Sequence, residues 1–173
     1  KTLVTNSLTA YANSVNLNKF GGRFKYSKIQ QIIDNTNTAI TSNITKIIIR
    51  RDLKASLNQF AQYELCFGNQ FHVNQKGFNI KSTGFTIAGR AKTAYITDIP
   101  NDDLKTGIIS IVTIESDQIY NVVVKSAGTV DYIKGEIILN TVNITSTLND
   151  DGIIEVQAIP ESNDVVGLKE LYL

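Results

Sequence analysis

The residues that could do chemistry are few and scattered in this sequence. Adjacent carboxylates occur at Asp102–Asp103 and at Asp150–Asp151, and paired acids can divide acid and base roles or bind a hard cation. Both pairs stand among residues typical of turns, where Asp and Asn side chains bond to the nearby backbone. No spaced series of acidic ligands accompanies either pair. We therefore predict that both pairs form turns rather than sites.

A cysteine nucleophile or a zinc site is also disfavoured. The chain has one cysteine, Cys66, and one histidine, His72, whereas an activated nucleophile needs a base with an orienting group and zinc needs several ligands. Cys66 lies in the alternating stretch YELCFG, which predicts a packed structural side chain. The sequence therefore predicts no catalytic residue, metal or cofactor, and the remaining enzyme hypothesis would use Asp102 or Asp131.

The composition indicates a folded domain without a strong electrostatic field. Of the 173 residues, 42% are hydrophobic and 19% charged, with a formal net charge of +1, so disorder is not expected. Binding to phosphate backbones needs clustered cations, and the nearest cluster, Arg50–Arg51 with Lys46 and Lys54, reads as a solvated strand end. No apolar run approaches the roughly 20 residues that cross a bilayer. We predict neither a nucleic-acid nor a membrane partner.

Residues 1–43 are predicted to form a segment of two short helices. Apolar residues spaced by three and four give the first helix an amphipathic stripe, made of Leu3, Val4, Leu8, Tyr11, Ala12 and Val15. Gly21 and Gly22 are a natural stop after it. The second helix is predicted from about Ser27 to Asn35, with Ser27 as its N-cap and Gln30 as the capping-box partner.

Residues 44–160 are predicted to be β-rich, because β-branched and aromatic runs alternate with turn signals. The predicted strands cover residues 44–50, 60–67, 78–80, 85–88, 94–99, 108–114, 119–125, 129–133, 136–142, 142–148 and 153–159. Hairpins are expected across residues 115–118, 134–135 and 149–152. The fold class is α+β, predominantly β, with the N-terminal helices packed on an antiparallel β-sandwich or meander. Residues 161–173 are expected to be a C-terminal arm or a short helix.

Aromatic and large apolar residues near both ends of the chain are candidates for contact with a partner. Such residues are enriched where binding energy concentrates, and the candidates are Leu8, Tyr11, Val15, Phe20, Tyr26, Leu168, Leu171 and Tyr172. Tyr63, Tyr120 and Tyr132 are expected at the edges of the core. The chain has no Trp, which weakens the case for an aromatic platform that binds sugars.

Two segments resemble one known family. FGGRFKYSKIQQIIDNTNTAITSNIT, residues 20–45, is similar to a segment of the large baseplate wedge protein of T-even-type contractile-tailed bacteriophages. There a Gly-Arg-Phe/Tyr-Ser start leads through an Ile-Asp helix to an Ile-Thr-Ser-Asn strand start. IPESND, residues 159–164, followed by VVGLKELYL, is similar to the C-terminal end of that protein. Because the chain also starts at Lys1 without a Met, we expect a C-terminal fragment of a longer polypeptide.

The resemblance implies a structural role without enzymatic activity. The family builds the wedge arms and, by self-association, helps to form the inner ring around the central hub. The implied partners are the chain itself, as a homodimer or ring, and other baseplate wedge proteins. The implied location is the tail baseplate of the virion, assembled in the host cytoplasm. The alternative, suggested by the repeated hairpins, is a carbohydrate-binding or adhesive β-sandwich module.

Overall fold

The fold divides into two compact units that differ in secondary structure. The computed structural model describes residues 1–14, 17, 22–115, 119–149 and 151–166. One unit comprises Lys1–Ile47 with Ser162–Leu173, and the other is the continuous segment Ile48–Glu161. The described helices lie in the first unit, and most of the strands lie in the second. The prediction of an α+β fold that is predominantly β is therefore confirmed.

The first unit joins two segments that are far apart in the sequence. Helix α1 (Thr2–Ala12) contacts helix α2 (Tyr26–Asp34). Between them, strand β1 (Arg23–Phe24) pairs antiparallel with the last strand of the chain, β11 (Val165–Val166). Residues 165–166 therefore form a strand and not the short helix that was one of two expectations for the C-terminal segment. No helix among the described residues is long and apolar enough to span a membrane.

Helix α2 begins one residue earlier than its sequence predicts. Its N-cap is Lys25, and the prediction of a capping box between Ser27 and Gln30 is wrong, because Ser27 lies inside the first turn. The backbone N–H of Tyr26 is instead satisfied by Asp164, whose Oδ1 accepts it at 2.7 Å. A carboxylate brought from the other end of the chain thus serves this helix terminus, which also favours negative charge.

The second unit is built from nine strands, as far as the described residues show. They are β2 (Ile49–Lys54), β3 (Phe60–Cys66), β4 (Ile80–Ser82), β5 (Phe85–Ile87), β6 (Ala94–Pro100), β7 (Thr106–Ile114), β8 (Tyr120–Asp131), β9 (Glu136–Thr147) and β10 (Ile153–Ala158). One sheet has the order β2-β10-β4, and the other has the order β3-β9-β5-β6-β7-β8. β8 also pairs with β9, so the pairings close the circuit β9-β5-β6-β7-β8-β9. Every pairing is antiparallel.

Two of the three predicted hairpins are confirmed, and one is wrong. β7 pairs with β8, and β8 pairs with β9. β8 and β9 each run continuously through two segments predicted as separate strands. The expected hairpin across residues 149–152 does not form, because β3 occupies one edge of β9 while β8 and β5 occupy the other. β10 therefore pairs with β2 and β4 in the smaller sheet.

The sequence also predicted some strand starts too early. The strand expected from residue 44 begins at Ile49, because its partner β10 ends opposite that residue at Ala158. Ile44 before it is fully exposed. The strand expected from Phe78 begins at Ile80. Cys66 is exposed and not packed, because burial alternates along β3 and the next residue, Phe67, is the buried one.

The carboxylate of Asp98 in β6 is fully buried in the core of the second unit. Its Oδ2 accepts hydrogen bonds from Tyr132 Oη at 2.6 Å and Asn79 Nδ2 at 2.8 Å, and its Oδ1 accepts one from the backbone N–H of Ile80 at 2.7 Å. Burial of a carboxylate is very unfavourable unless donors replace its water. These donors tie β6 to the start of β4 and to the turn after β8.

Tyr132 is fully buried, so its expected place at the edge of the core is wrong. Burial and the hydrogen bond to the Asp98 carboxylate both raise the pKa of its phenol well above the ordinary value. Ionisation would place a second negative charge beside Asp98 in the buried core. The phenol therefore stays protonated as a donor across the physiological range.

We expect Tyr132→Phe to destabilise the chain by about 2 kcal/mol, since it removes a hydrogen bond to a charged group. The raised pKa adds a pH signature. The folded chain keeps the phenolic proton where the unfolded chain loses it, so this contribution to stability is complete below about pH 10 and falls as the pH rises further. Urea unfolding from pH 7 to 11 measures both effects. An equally steep alkaline loss in the variant would contradict the assignment to Tyr132.

Two glycines with positive φ give a matched pair for testing close backbone packing. A Cβ on Gly135 (φ +70°) would lie 2.1 Å from the Asn69 carbonyl oxygen, whereas one on Gly89 (φ +76°) would meet no atom within 4 Å. We expect Gly89→Ala to cost about 1 to 2 kcal/mol through backbone strain. Gly135→Ala should cost about 1 to 3 kcal/mol more, because the backbone must also move. Equal losses in denaturant unfolding would contradict the close approach.

Candidate functional site

The acidic residues considered for catalysis organise turns. The Asp103 carboxylate accepts the backbone N–H groups of Lys105 at 2.9 Å and Thr106 at 3.0 Å. Asp131 accepts two backbone N–H groups in the turn after β8, and Asp151 accepts that of Ile153 at 2.8 Å. These bonds account for the carboxylates as turn residues. Asp150 lies outside the described residues.

Other polar residues form local pairs on the surface of the second unit. Arg50 contacts Asp52 at 2.8 Å and Glu155 at 2.7 Å, and the hydrogen bond to Asp52 raises its pKa. His72 Nδ1 lies 3.0 Å from Glu161 Oε2. Within the described part of the chain, no group of three or more His, Cys, Asp or Glu side chains could hold a metal ion. Arg50, one member of the predicted cationic cluster, is thus paired within its own sheet.

Two of the residues predicted to contact a partner, Leu8 and Tyr11, lie in helix α1. None of its residues is buried. Leu8 and Tyr11 are half-buried, as is Val4, and they share the stripe that the sequence predicts. Leu3, on the same stripe, is 60% exposed. Contact with α2 therefore covers the apolar stripe only in part, and the Leu3 side chain near the start of α1 remains exposed.

Tyr26 makes a hydrogen bond within its own unit. It is half-buried at the start of α2, and its Oη donates a hydrogen bond to the Thr45 carbonyl at 2.9 Å. This bond fixes the segment after α2 and engages the polar end of the ring. The other candidates, Val15, Phe20, Leu168, Leu171 and Tyr172, lie outside the described residues, so their role in partner contact stays a prediction.

One exposed apolar residue of the first unit was not chosen from the sequence. Ile44 is fully exposed, although the β-branched run from residue 44 placed it in a strand. The signal that could have identified it is the surrounding TSNIT, where polar and turn-forming residues isolate a single isoleucine. Ile44 and Leu3 are the large apolar side chains of the described first 47 residues that exceed half exposure.

The comparison with known families bears on this same part of the chain. Residues 1–52 match the family described as baseplate structural protein gp6, C-terminal domain III. The match supports a structural protein of a phage baseplate. It covers α1, β1, α2 and the first residues of β2. A search of curated proteins finds no match to the chain.

The family match supports a general role for the matched segment. A baseplate structural domain implies a component of the phage tail and contact with other baseplate proteins. It also supports a structural, non-enzymatic role, in line with turn-forming acids and locally paired charges. The apolar stripe of α1 lies entirely within the matched residues. The fully exposed Ile44 lies within the matched residues as well.

The turn role of Asp103 predicts a response to acid. Backbone N–H bonds from Thr106 and Lys105 lower the pKa of its carboxyl, so its contribution to stability is present above the unfolded pKa and is lost as the pH falls through the lower folded value. We expect Asp103→Ala to lose part of the acid sensitivity of unfolding. Asp102→Ala is the matched control, because Asp102 is an exposed neighbour. Identical acid profiles for the two variants between pH 2 and about 5 would contradict the turn role.

Proposed function

We propose that this chain is part of a large baseplate wedge protein that self-associates to help form the inner ring around the central hub. In this proposal the same protein binds neighbouring wedge proteins and is assembled in the host cytoplasm before it enters the virion. The observation that carries the proposal is the apolar stripe of α1, which lies in the family-matched segment and has no buried member between Thr2 and Ala12.

Helix α1 has little intrinsic support. It is 11 residues long, its N-cap makes no side-chain hydrogen bond, and its first turn has no acid to complement the helix dipole. Isolated helices of this length are marginal in water, and packing of an apolar face supplies most of a helix's stability. A second protein surface on the stripe would supply that packing, and complete burial of one leucine contributes about 1.5 to 3 kcal/mol.

We propose a second copy of the chain as the partner that covers this stripe. Symmetric pairing lets one apolar patch cover its own copy, as in most homo-oligomers. The half-buried Leu8 and Tyr11 and the exposed Leu3 would form the shared contact, while Ile44 offers a separate apolar point for a neighbouring wedge protein. Large obligate interfaces are built from such apolar patches.

Sedimentation velocity over a concentration series tests self-association. We expect a concentration-dependent dimer or larger species, and Leu3→Glu should shift its midpoint at least tenfold toward higher concentration, because a charge would be buried in the contact. Thr9→Glu is the matched control: it adds the same charge on the opposite, exposed side of α1, and it should leave the midpoint unchanged.

Two results would contradict this interface. A monomer at every concentration would argue against self-association of the chain through α1. Equal shifts for Leu3→Glu and Thr9→Glu would indicate a general charge effect. Circular dichroism of both variants verifies the helix content, so that loss of association is separated from loss of α1.

A further inference from the structure

Strand β3 lies at one end of the six-stranded sheet. It pairs with β9 on one side, and no strand among the described residues pairs with its other side. An open edge of this kind presents a row of unpaired backbone N–H and C=O groups to which another strand can bind. β3 lies in the second unit and outside residues 1–52, so an inference about its edge does not depend on α1.

Two other edge strands of the second unit are protected against such pairing. Four of the six residues of β2 are charged, and β4 is three residues long. Charges and very short edge strands are common means by which proteins prevent edge-to-edge association. β3 has neither protection, because its seven residues, FAQYELC, include one charge, that of Glu64, and no proline. Its edge is therefore suited to pairing with a further strand.

The pairing of β3 with β9 determines which backbone groups face the open edge. The Phe67 N–H, directly after β3, donates to the Gly135 carbonyl at 2.8 Å and continues the register of the last β3–β9 pairs. Because antiparallel strands bond through every second residue, Leu65 also directs its backbone groups toward β9. Glu64 and Cys66 therefore direct their N–H and C=O groups to the open edge.

The sequence of β3 is complementary to itself in one antiparallel register. A two-fold axis at Tyr63 would align all seven residues of two copies, with Gln62 opposite Glu64 and Phe60 opposite Cys66. These four side chains lie on the exposed face of β3, and Phe60 is 75% exposed. The Gln62 amide can donate to the opposing carboxylate, and the Cys66 side chain is a small apolar surface for the opposing Phe60 ring.

The neighbouring register is less favourable. A two-fold axis at Glu64 would place the two Glu64 carboxylates directly opposite each other, and like charges in that position destabilise a strand pair. The axis at Tyr63 avoids this repulsion and also covers the exposed Phe60 at both ends of the pair. The side chains of β3 thus favour one register and one occupant, which is β3 itself.

We propose that β3 pairs antiparallel with β3 of a second copy, with the two-fold axis at Tyr63, so that two six-stranded sheets join edge to edge. The unpaired backbone groups select an extended strand, and the Gln62–Glu64 pairs select the register. The inference rests on the self-association proposed above, since it adds a contact between copies, but it uses a surface separate from α1.

A cysteine in place of Phe60 tests the register directly, because Cys66 is the one native cysteine of the chain. In the proposed pair, Phe60→Cys lies opposite Cys66 of the second copy at about 5.5 Å between Cα atoms, a separation that a disulfide spans. Within one strand the two positions are about 20 Å apart, so no intrachain bond can form. We expect a covalent dimer in a glutathione redox buffer, measured by non-reducing electrophoresis.

Three controls separate this register from chance collision. The unaltered chain and the double variant Phe60→Cys with Cys66→Ser should both stay uncrosslinked, because their cysteines would lie about 20 Å apart in the pair. Leu148→Cys, which keeps Cys66, measures collision, since Leu148 is 66% exposed and lies outside β3. Crosslinking in any control equal to that of Phe60→Cys would contradict the register.

Charge substitutions at Gln62 measure the strength of the pairing. Gln62→Lys should strengthen it, because the new cation faces Glu64 of the second copy, and Gln62→Glu should weaken it. Each change acts at two symmetric pairs, so the dissociation constant should fall or rise by about 2- to 30-fold. Sedimentation velocity in the Leu3→Glu background measures this effect apart from α1. Gln75→Lys and Gln75→Glu are the matched controls, because Gln75 is exposed and lies outside β3.

The contact at β3 and the contact at α1 fail in different ways. If the unaltered chain is a dimer but Phe60→Cys gives no covalent dimer, the β3 contact is refuted while self-association stands. Equal effects at Gln62 and Gln75 would also refute it, as a general charge effect. A monomer at every concentration would refute both contacts. Crosslinking of Phe60→Cys together with an unchanged midpoint for Leu3→Glu would support β3 and count against α1.

Discussion

The second unit depends on one buried carboxylate. Asp98 lies in the core, and its oxygens accept hydrogen bonds from Tyr132, Asn79 and the backbone of Ile80. Removal of one partner from a buried charge usually costs more than the pair contributes, so these elements hold one another in place. The same cluster fixes the backbone around Phe78, a side chain that is 40% exposed. A core interaction and a surface feature thus share one origin.

The sequence predicted what depends on local pattern. Alternating residues gave the existence of most strands, Lys134–Gly135 gave the β8–β9 hairpin, and the spacing of Leu3, Val4, Leu8 and Tyr11 gave α1. The sequence could not predict which neighbouring strand each strand would pair with. The hairpin expected before β10 failed because both edges of β9 were taken by strands distant in sequence. The burial of Asp98 was equally hidden, since Tyr132 lies 34 residues away.

Candidate interaction residues were predicted with the same limits. The stripe of α1 was visible because helical periodicity is local, and in the structure its residues between Thr2 and Ala12 are half-buried or exposed. The hydrogen bond from Tyr26 to the Thr45 carbonyl could not be predicted, because this acceptor is placed only once the following segment has folded back. The open edge of β3 could not be predicted either. It depends on the order of the strands in the sheet, and no stretch of sequence contains that order.

The pairing of β1 with β11 has a mechanical consequence. Arg23 lies opposite Val166, Phe24 lies opposite Val165, and the Tyr26 N–H bond to Asp164 comes next along both segments. Tension applied at Arg23 and Val166 would break these contacts one after another, beginning with the Arg23–Val166 pair and ending with the Tyr26–Asp164 hydrogen bond. The segment 48–161 lies between them in the chain, so it would bear the load only after they had opened. We therefore expect the β1–β11 pairing to separate before the second unit unfolds under such tension.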